Sequence, residues 1–271
     1  MMKRNKTLLI SIFLLVTHAC VAQSVFDTRI RVGDSMMSPV DGDIRWDGDD
    51  FEGYDGSQWK SFTTVNTSAS GIVSDIDGNI YRTVQIGEQE WMRENLRTSR
   101  YTDGTPISEV TLTEDWVADT VGAWCWFYND QAYDETCGKI YNFYAISSDR
   151  SVCPEGWRIP DLEDWRALDT FLGASISANR LKQVGTSNWN STSSDVNNDS
   201  GFTAIPAGVR FFNGSFTTLG FENNFTSFWS SAETLNGTLT IINIFGTESM
   251  IDFDNISDKE TGVSVRCIKT K

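Results

Sequence analysis

Five cysteines and one histidine are the side chains in this chain best suited to nucleophilic, redox or metal chemistry, and their positions narrow that chemistry sharply. His18 lies in a stretch with the pattern of a secretory leader. Met1 to Lys6 is basic, Leu8 to Val16 is mostly apolar, and small residues stand at Ala19 and Ala22. Cleavage after Ala22 is expected, leaving Gln23 first. Cys20 is the alternative, as a lipid anchor, disfavoured because His18 stands where a small residue is wanted. A chain without His18 holds no imidazole, which excludes Ser-His and Cys-His pairs, histidine zinc sites and the ordinary general base near neutral pH. The expectation is a protein that is not an enzyme. One hydrolytic chemistry needs no histidine, carboxylate-based glycoside hydrolysis, and the 37 acidic residues supply pairs for it without marking any.

Cys125, Cys137, Cys153 and Cys267 remain after cleavage. An even number in an exported chain reads as two disulfides, with three possible connectivities. Cys125–Cys137 locally and Cys153–Cys267 across the domain is the expected pairing. The rival, one zinc on four thiolates, asks for closely spaced pairs, which these cysteines lack. No cofactor is expected apart from calcium, for which Asp195, Asn197 and Asp199 form the best cluster of oxygen ligands. Asp75, Asp77 and Asn79 open with the spacing of a calcium loop, but Ile86 stands at its twelfth position, so a turn is expected there.

Loss of Lys3, Arg4 and Lys6 with the leader takes the formal net charge from −15 to −18. Such a chain repels nucleic acid and anionic lipid, so neither is expected as a partner. No later run approaches the about 20 apolar residues a membrane span needs. The protein is therefore expected to be exported, extracellular or on an outer surface, with no transmembrane segment.

The elements that must position any site follow from periodicity and turn residues. Residues 23–62 are dense in Asp-Gly pairs flanking short pieces such as Ile44-Arg45-Trp46, which reads as very short hairpins able to self-associate. Residues 63–70 read as a linker and residues 71–271 as the main domain. In it, Ile80 to Ile86 alternates as a strand and turns back at Gly87 into Trp91-Met92. Trp157 and Ile159 alternate until Pro160 stops the ladder, and Asp161 caps a helix from Leu162 to Leu172 that Gly173 ends. Leu162, Trp165, Leu168 and Leu172 fall on one side of that helix and are expected to face a core. Gly138 to Ile146 is read as a short helix carrying Tyr141, Tyr144 and Ala145 inward, and Asn179 to Gly185 as a second one.

With those residues in view, positions 71–271 resemble the Fibrobacter succinogenes major paralogous domain family. The resemblance rests on Asp77-Gly78-Asn79-x-Tyr81, Gln89-x-Trp91-Met92-x-Glu94-Asn95-Leu96, Cys153-Pro154-x-Gly156-Trp157-Arg158-x-Pro160 with Trp165, Gly201-Phe202-x-Ala204, Phe228-Trp229-Ser230-Ser231 and Ser264-Val265-Arg266-Cys267. It implies an α+β fold of C-type lectin-like character, related also to formylglycine-generating enzymes. Small antiparallel sheets, one or two helices and long structured loops would follow the hairpin-rich N-terminal segment. It also supports a tie between Cys153 and Cys267. The tripeptides by which C-type lectins hold sugar through calcium are absent, as is the paired redox cysteine of formylglycine-generating enzymes, so neither chemistry carries over. What the resemblance and the aromatic loops imply is a secreted or surface binding module for a polysaccharide or a surface protein. Trp116, Trp124, Trp126, Tyr133 and Trp229 are its expected contacts; a structural, adhesive component is the other reading.

Overall fold

The computed structural model describes residues 44–46, 51–54, 59–61, 69–185, 188–189, 195–217, 224–233, 237–256 and 258–270. The expected leader, Cys20 and most of the expected linker lie outside them. The chain divides into two units, Met1–Asn66 and Thr67–Lys271. The first holds β1 (Ile44–Trp46), β2 (Phe51–Tyr54) and β3 (Trp59–Ser61), an antiparallel meander in that order. Its strands are three or four residues long, and the Asp-Gly pairs read as turns lie outside the described residues.

The second unit starts with β4 (Ala69–Ser74), so Ala69 and Ser70, read as linker, already belong to a strand. β5 (Ile80–Ile86) and β6 (Gln89–Met92) form the expected hairpin. Next come β7 (Ser108–Glu109), α1 (Thr113–Ala118), β8 (Ala123–Cys125), α2 (Asp134–Cys137), β9 (Ile140–Asn142) and α3 (Phe143–Ile146). β10 (Trp157–Arg158), α4 (Leu162–Leu172) and α5 (Ser177–Leu181) lead to β11 (Phe225–Glu233), β12 (Leu239–Phe245), β13 (Asp252–Ile256), β14 (Gly262–Ser264) and β15 (Ile268–Lys269). One sheet has the order β10-β15-β6-β5-β4 and the other β13-β12-β11-β14-β9-β8-β7. The unit is therefore α+β, and among the described residues only α4 is a helix longer than six residues.

The larger sheet is covered on both faces, and its sequence shows why. Phe228 and Trp229 are neighbours on β11, and Ile241 and Ile242 on β12, so each pair points to opposite faces. Phe228 and Ile242 enter one core with Trp91, Phe202 and α4's Trp165, Leu168 and Leu172. Trp229 and Ile241 enter the other with Tyr141, Val263 and the Cys153–Cys267 bond. A strand buried on both faces reads as an unbroken apolar run, and Leu239 to Phe245 is nearly that.

α4 begins where Asp161 was expected to cap it. Asp161 Oδ1 accepts from the Asp164 amide at 2.9 Å, and Asp164 Oδ2 accepts from the Asp161 amide at 2.8 Å. Arg158 adds a fork onto the same carboxylate, 2.5 and 2.9 Å long. Burial pushes the Asp164 carboxyl up, but Arg158 and the Asp161 amide outweigh it and hold it below its ordinary value. Its folded pKa is thus the lower one, and the stability it contributes is complete above pH about 4 and lost as pH falls through the folded value. Asp161→Ala should cost about 1 kcal/mol, seen as a lower urea midpoint at unchanged slope; an unchanged midpoint removes the cap from this account.

The second short helix is α5, Ser177–Leu181, not Asn179 to Gly185, because Lys182 turns to extended backbone and bridges to Ala204. Two larger expectations need correction. Gly138 to Ile146 is not one helix but β9 followed by the single turn α3, with Tyr141 and Ala145 buried and Tyr144 partly exposed, its hydroxyl 3.0 Å from Glu260. Asn142 makes the switch. It ends the strand in extended backbone, and its Oδ1 accepts from the amides of Ala145 at 3.1 Å and Ala123 at 3.0 Å. The second correction concerns sulfur. Cys153 and Cys267 are bonded, 114 residues apart in sequence, but Cys125 and Cys137 are both free and buried. Cys125 points from β8 into a small core of Trp116, Phe127 and Ile140, whereas the Cys137 thiol donates to the Pro206 carbonyl at 3.6 Å, so each sulfur is satisfied apart from the other. Burial pushes the Cys125 thiol up to about 12, far from a reactive thiolate. The native protein should therefore leave both thiols unlabelled by iodoacetamide at pH 8, and peptide mapping should find both labelled after denaturation without reductant. Unlabelled thiols in the denatured, unreduced chain would mean that they are bonded after all.

Candidate ligand-binding surface

The five aromatic residues expected to face a ligand separate into two groups. Trp116 and Trp229 are 0 % exposed and Trp124 5 %, so none offers a ring face to a ligand. Each indole nitrogen donates to a main-chain oxygen: Trp116 to Glu260 at 2.7 Å, Trp124 to Ile107 at 3.0 Å and Trp229 to Tyr141 at 2.8 Å. A tryptophan whose N–H finds such a partner can be wholly interior, and these three are core residues rather than contacts. Trp126 and Tyr133 lie at the edge of the cores, partly exposed.

Between those two residues the chain makes an unusual loop. Short 3-10 turns cover Phe127–Asn129 and Gln131–Tyr133 between β8 and α2. Phe127 is 2 % exposed and anchors the loop, with the rings of Tyr128, Tyr133 and Phe216 around it at 4.3, 5.5 and 5.8 Å. Its ring rests on Gly208, where an added Cβ would come within 2.2 Å of it, so only glycine permits that seat. Tyr128 and Asn129 both take left-handed backbone, with φ of 54° and 55°. Two such residues in succession cost on the order of 1–3 kcal/mol each, so surrounding bonds must hold them. They do: the Tyr128 hydroxyl donates to Thr217 O at 2.7 Å, Asn129 Nδ2 to Thr111 O at 3.0 Å, and Asp130 accepts from the Ala132 amide at 2.9 Å.

The result is a rigid ledge on which Tyr128, 37 % exposed, stands beside partly exposed Tyr133 and Trp126. Under the ledge, Asn129 Oδ1 and Thr217 Oγ1 are buried without a hydrogen-bond partner. Lys139 does not serve a ligand. Its ammonium sits 4.7 Å from the Trp124 ring and donates to Asp134 at 2.9 Å and to Arg97 O at 2.6 Å. Asp134 in turn accepts from Trp126 Nε1 at 2.9 Å, which fixes the tilt of that ring. What this surface can do is stack flat apolar faces of a ligand against its rings. The density of aromatics between Trp116 and Tyr144 announced a packed loop. Tyr128 stood among those aromatics, but its residue type does not mark the left-handed backbone it takes, and only the fold brings Phe216 beside it.

Of the residues expected to hold calcium, Asp195, Asn197 and Asp199 are all exposed, and Asn197 bonds to Asp199. Asn197 turns its amide nitrogen, not its oxygen, toward Asp199 Oδ2 at 2.7 Å, and its Oδ1 accepts from the Asp199 amide at 3.2 Å. Among the described residues, no three acidic, cysteine or histidine side chains converge on a point that suits a metal. At the earlier aspartates, the expected turn is what forms. Asp75 accepts from the amides of Asp77 and Asn79, from Asn79 Nδ2 and from the Tyr81 hydroxyl, so its carboxylate is already surrounded by donors.

With fold and surface described, comparison with known families matches residues 84–269 to the Fibrobacter succinogenes major domain, more than half of the chain. The chain belongs to this family. No curated protein and no solved structure matches it. In this member of the Fibrobacter succinogenes major domain family, several of the stretches that carry the resemblance meet in the core. Arg266, 1 % exposed, lies 4.1 Å from the centre of the Phe202 ring and 5.2 Å from that of Phe228. It donates to the Phe202 carbonyl and, through Nε and Nη2, to Asn95 Oδ1 at 3.2 and 2.6 Å. Four of those stretches thus meet at one buried guanidinium. No membrane-spanning helix occurs among the described residues.

Proposed function

We propose that this protein is an exported binding module of C-type lectin-like architecture that holds a polysaccharide against the ledge formed by Trp126, Tyr128 and Tyr133. The observation that carries the reading is the pair of left-handed residues, Tyr128 and Asn129, kept in costly backbone while the Tyr128 ring remains 37 % exposed. Strain persists where surrounding structure over-determines it, and it concentrates at ligand-holding sites. Rigid aromatic faces bind at low entropic cost because few rotors are frozen. The leader-like opening and the Cys153–Cys267 bond support export, since such bonds persist in oxidising compartments. A net charge of −15 supports a neutral ligand over an anionic one.

Retention of the full chain on insoluble polysaccharides and on a glycan array tests the reading. At least one polymer should retain it, and Tyr128→Ala with Tyr133→Ala should weaken retention by about 2 kcal/mol, roughly thirty-fold, at unchanged circular dichroism. Retention on none, or equal retention of the double variant, overturns the proposal. Capture by a surface protein instead, lost in the same variant, would reassign the ledge to protein recognition.

A further inference from the structure

A second concave feature lies on other elements. A cleft of about 280 Å³ opens where the end of β5 meets α4, α5 and the loop at Asp199, and none of its lining residues belongs to the ledge. That volume falls just below the usual range for small-molecule sites and suits one ring rather than a long ligand. Its apolar wall is Phe171, 62 % exposed at the last turn of α4. The Phe171 ring is set against Gly87, where a Cβ would stand 3.0 Å from it, so one face is supported by backbone. The polar wall is Arg180 of α5. Its Nη1 donates to Leu172 O at 3.0 Å, while its Nε is buried and has no partner, and no bond to Nη2 is formed among the described residues. A buried donor without an acceptor is uncommon in folded proteins and asks for an explanation.

The other polar groups narrow the ligand's chemistry. Asp199 lines the same cleft and is exposed, yet forms no ion pair with Arg180 among the described residues; its Oδ2 accepts only from its loop neighbour Asn197. Ser200 is committed, its hydroxyl donating to Arg180 O at 2.6 Å and accepting from the Phe202 amide at 3.1 Å. Gln85 donates to Gly87 O at 2.9 Å through its amide nitrogen, which turns its carbonyl oxygen into the remaining acceptor. One cation and one anion thus face the cleft with little net charge between them. A carboxylate or phosphate would be drawn to Arg180 but would meet Asp199. An ammonium would meet the reverse. A neutral ring carrying adjacent hydroxyls satisfies both, because its oxygens accept from Arg180 Nη2, its O–H groups donate to Asp199 and Gln85, and its flat face covers Phe171.

We propose that this cleft is a site for a single neutral hexose unit, recognised without a metal by Phe171, Arg180, Asp199 and Gln85. The proposal rests on the reading of the chain as a binding module, but not on which surface holds a polymer. The test is titration of the full chain with methyl glycosides of glucose, galactose, mannose and N-acetylglucosamine, and separately with glucuronate, following the backbone amide resonances of Gly87 and Ser200. At least one neutral glycoside should move both resonances with a dissociation constant in the millimolar range. Phe171→Ala and Arg180→Lys should each weaken that binding tenfold or more, the lysine keeping the charge but losing Nη2. The proposal is overturned if no neutral glycoside shifts these resonances, if glucuronate alone does, or if Arg180→Lys binds as tightly as the natural chain. Because the readout is local to Gly87 and Ser200, loss of polymer retention at the ledge and failure of the cleft are separate results.

Discussion

Replacing Cys153 and Cys267 together by alanine is expected to lower the unfolding free energy by about 4.7 kcal/mol, the chain-entropy value for a loop of roughly 100 residues. The bond closes 114 residues of sequence, a span that includes α4, α5 and the strands of the larger sheet except β7 to β9. The C-terminal end is otherwise held by short pairings and side-chain bonds, among them Lys269 to Glu90 at 2.7 Å and Thr270 N to Gly156 O at 2.9 Å. β15 pairs with two residues of β10 and, within the ladder, one residue of β6, helped by the Met92 amide donating to Cys267 O at 3.1 Å. Domains are stable by about 5–15 kcal/mol, so a loss of this size takes much of the total. Urea unfolding followed by circular dichroism, with the reduced natural chain as a second case, measures it. A midpoint that does not move on reduction would show that packing around Trp229 and Val265 closes the loop without the sulfur.

Arg210→Met should cost about 3–5 kcal/mol, the usual result of removing one partner from a buried charge-assisted network. Arg210 is 0 % exposed, and its guanidinium donates to four carbonyls: Gly214 at 3.1 Å, Val110 at 2.6 Å, and Thr111 and Leu112 at 3.0 and 3.3 Å. Methionine fills similar space but leaves those oxygens without donors in a region closed to water. The cation also lies 4.3 Å from the centre of the Trp116 ring and 5.1 Å from that of Phe216. Phe216 packs on Tyr128 at 5.4 Å, so the same substitution should loosen the ledge and weaken ligand retention beyond what stability alone explains. Arg210→Lys should recover less than half of the loss, because three donors on one nitrogen cannot reach acceptors spread across a planar fork. Equal stability of the methionine variant would mean that water reaches those carbonyls.

Local chemistry was legible wherever neighbours in sequence are neighbours in space. The cap at Asp161, the extent of α4 and the hairpin turning at Gly87 all depend on residues within a few positions of one another, and the structure forms them as expected. Turn residues likewise account for the aspartates at 75 and 77, which bond within their own loop and to Ser99 and Arg100 nearby. The free pair Cys125 and Cys137 shows the limit. Proximity in sequence suggested a bond, but the turn between them and the register of β8 against β9 sent the sulfurs to different partners.

By itself, then, the sequence determined the cysteine that could reach the last strands, the capped helix, the family and the absence of imidazole chemistry beyond position 18, because these depend on residue identity and short-range spacing. Only the tertiary structure decided which aromatic rings are interior, since Trp116, Trp124 and Trp229 look no different from Trp126 until distant carbonyls at Glu260, Ile107 and Tyr141 claim their N–H groups. It alone also set Tyr128 on a strained ledge and brought Phe171, Arg180 and Asp199 around one cleft. Burial is a property of where remote segments meet, and no local pattern encodes it for a side chain that is apolar in its body and polar at its tip.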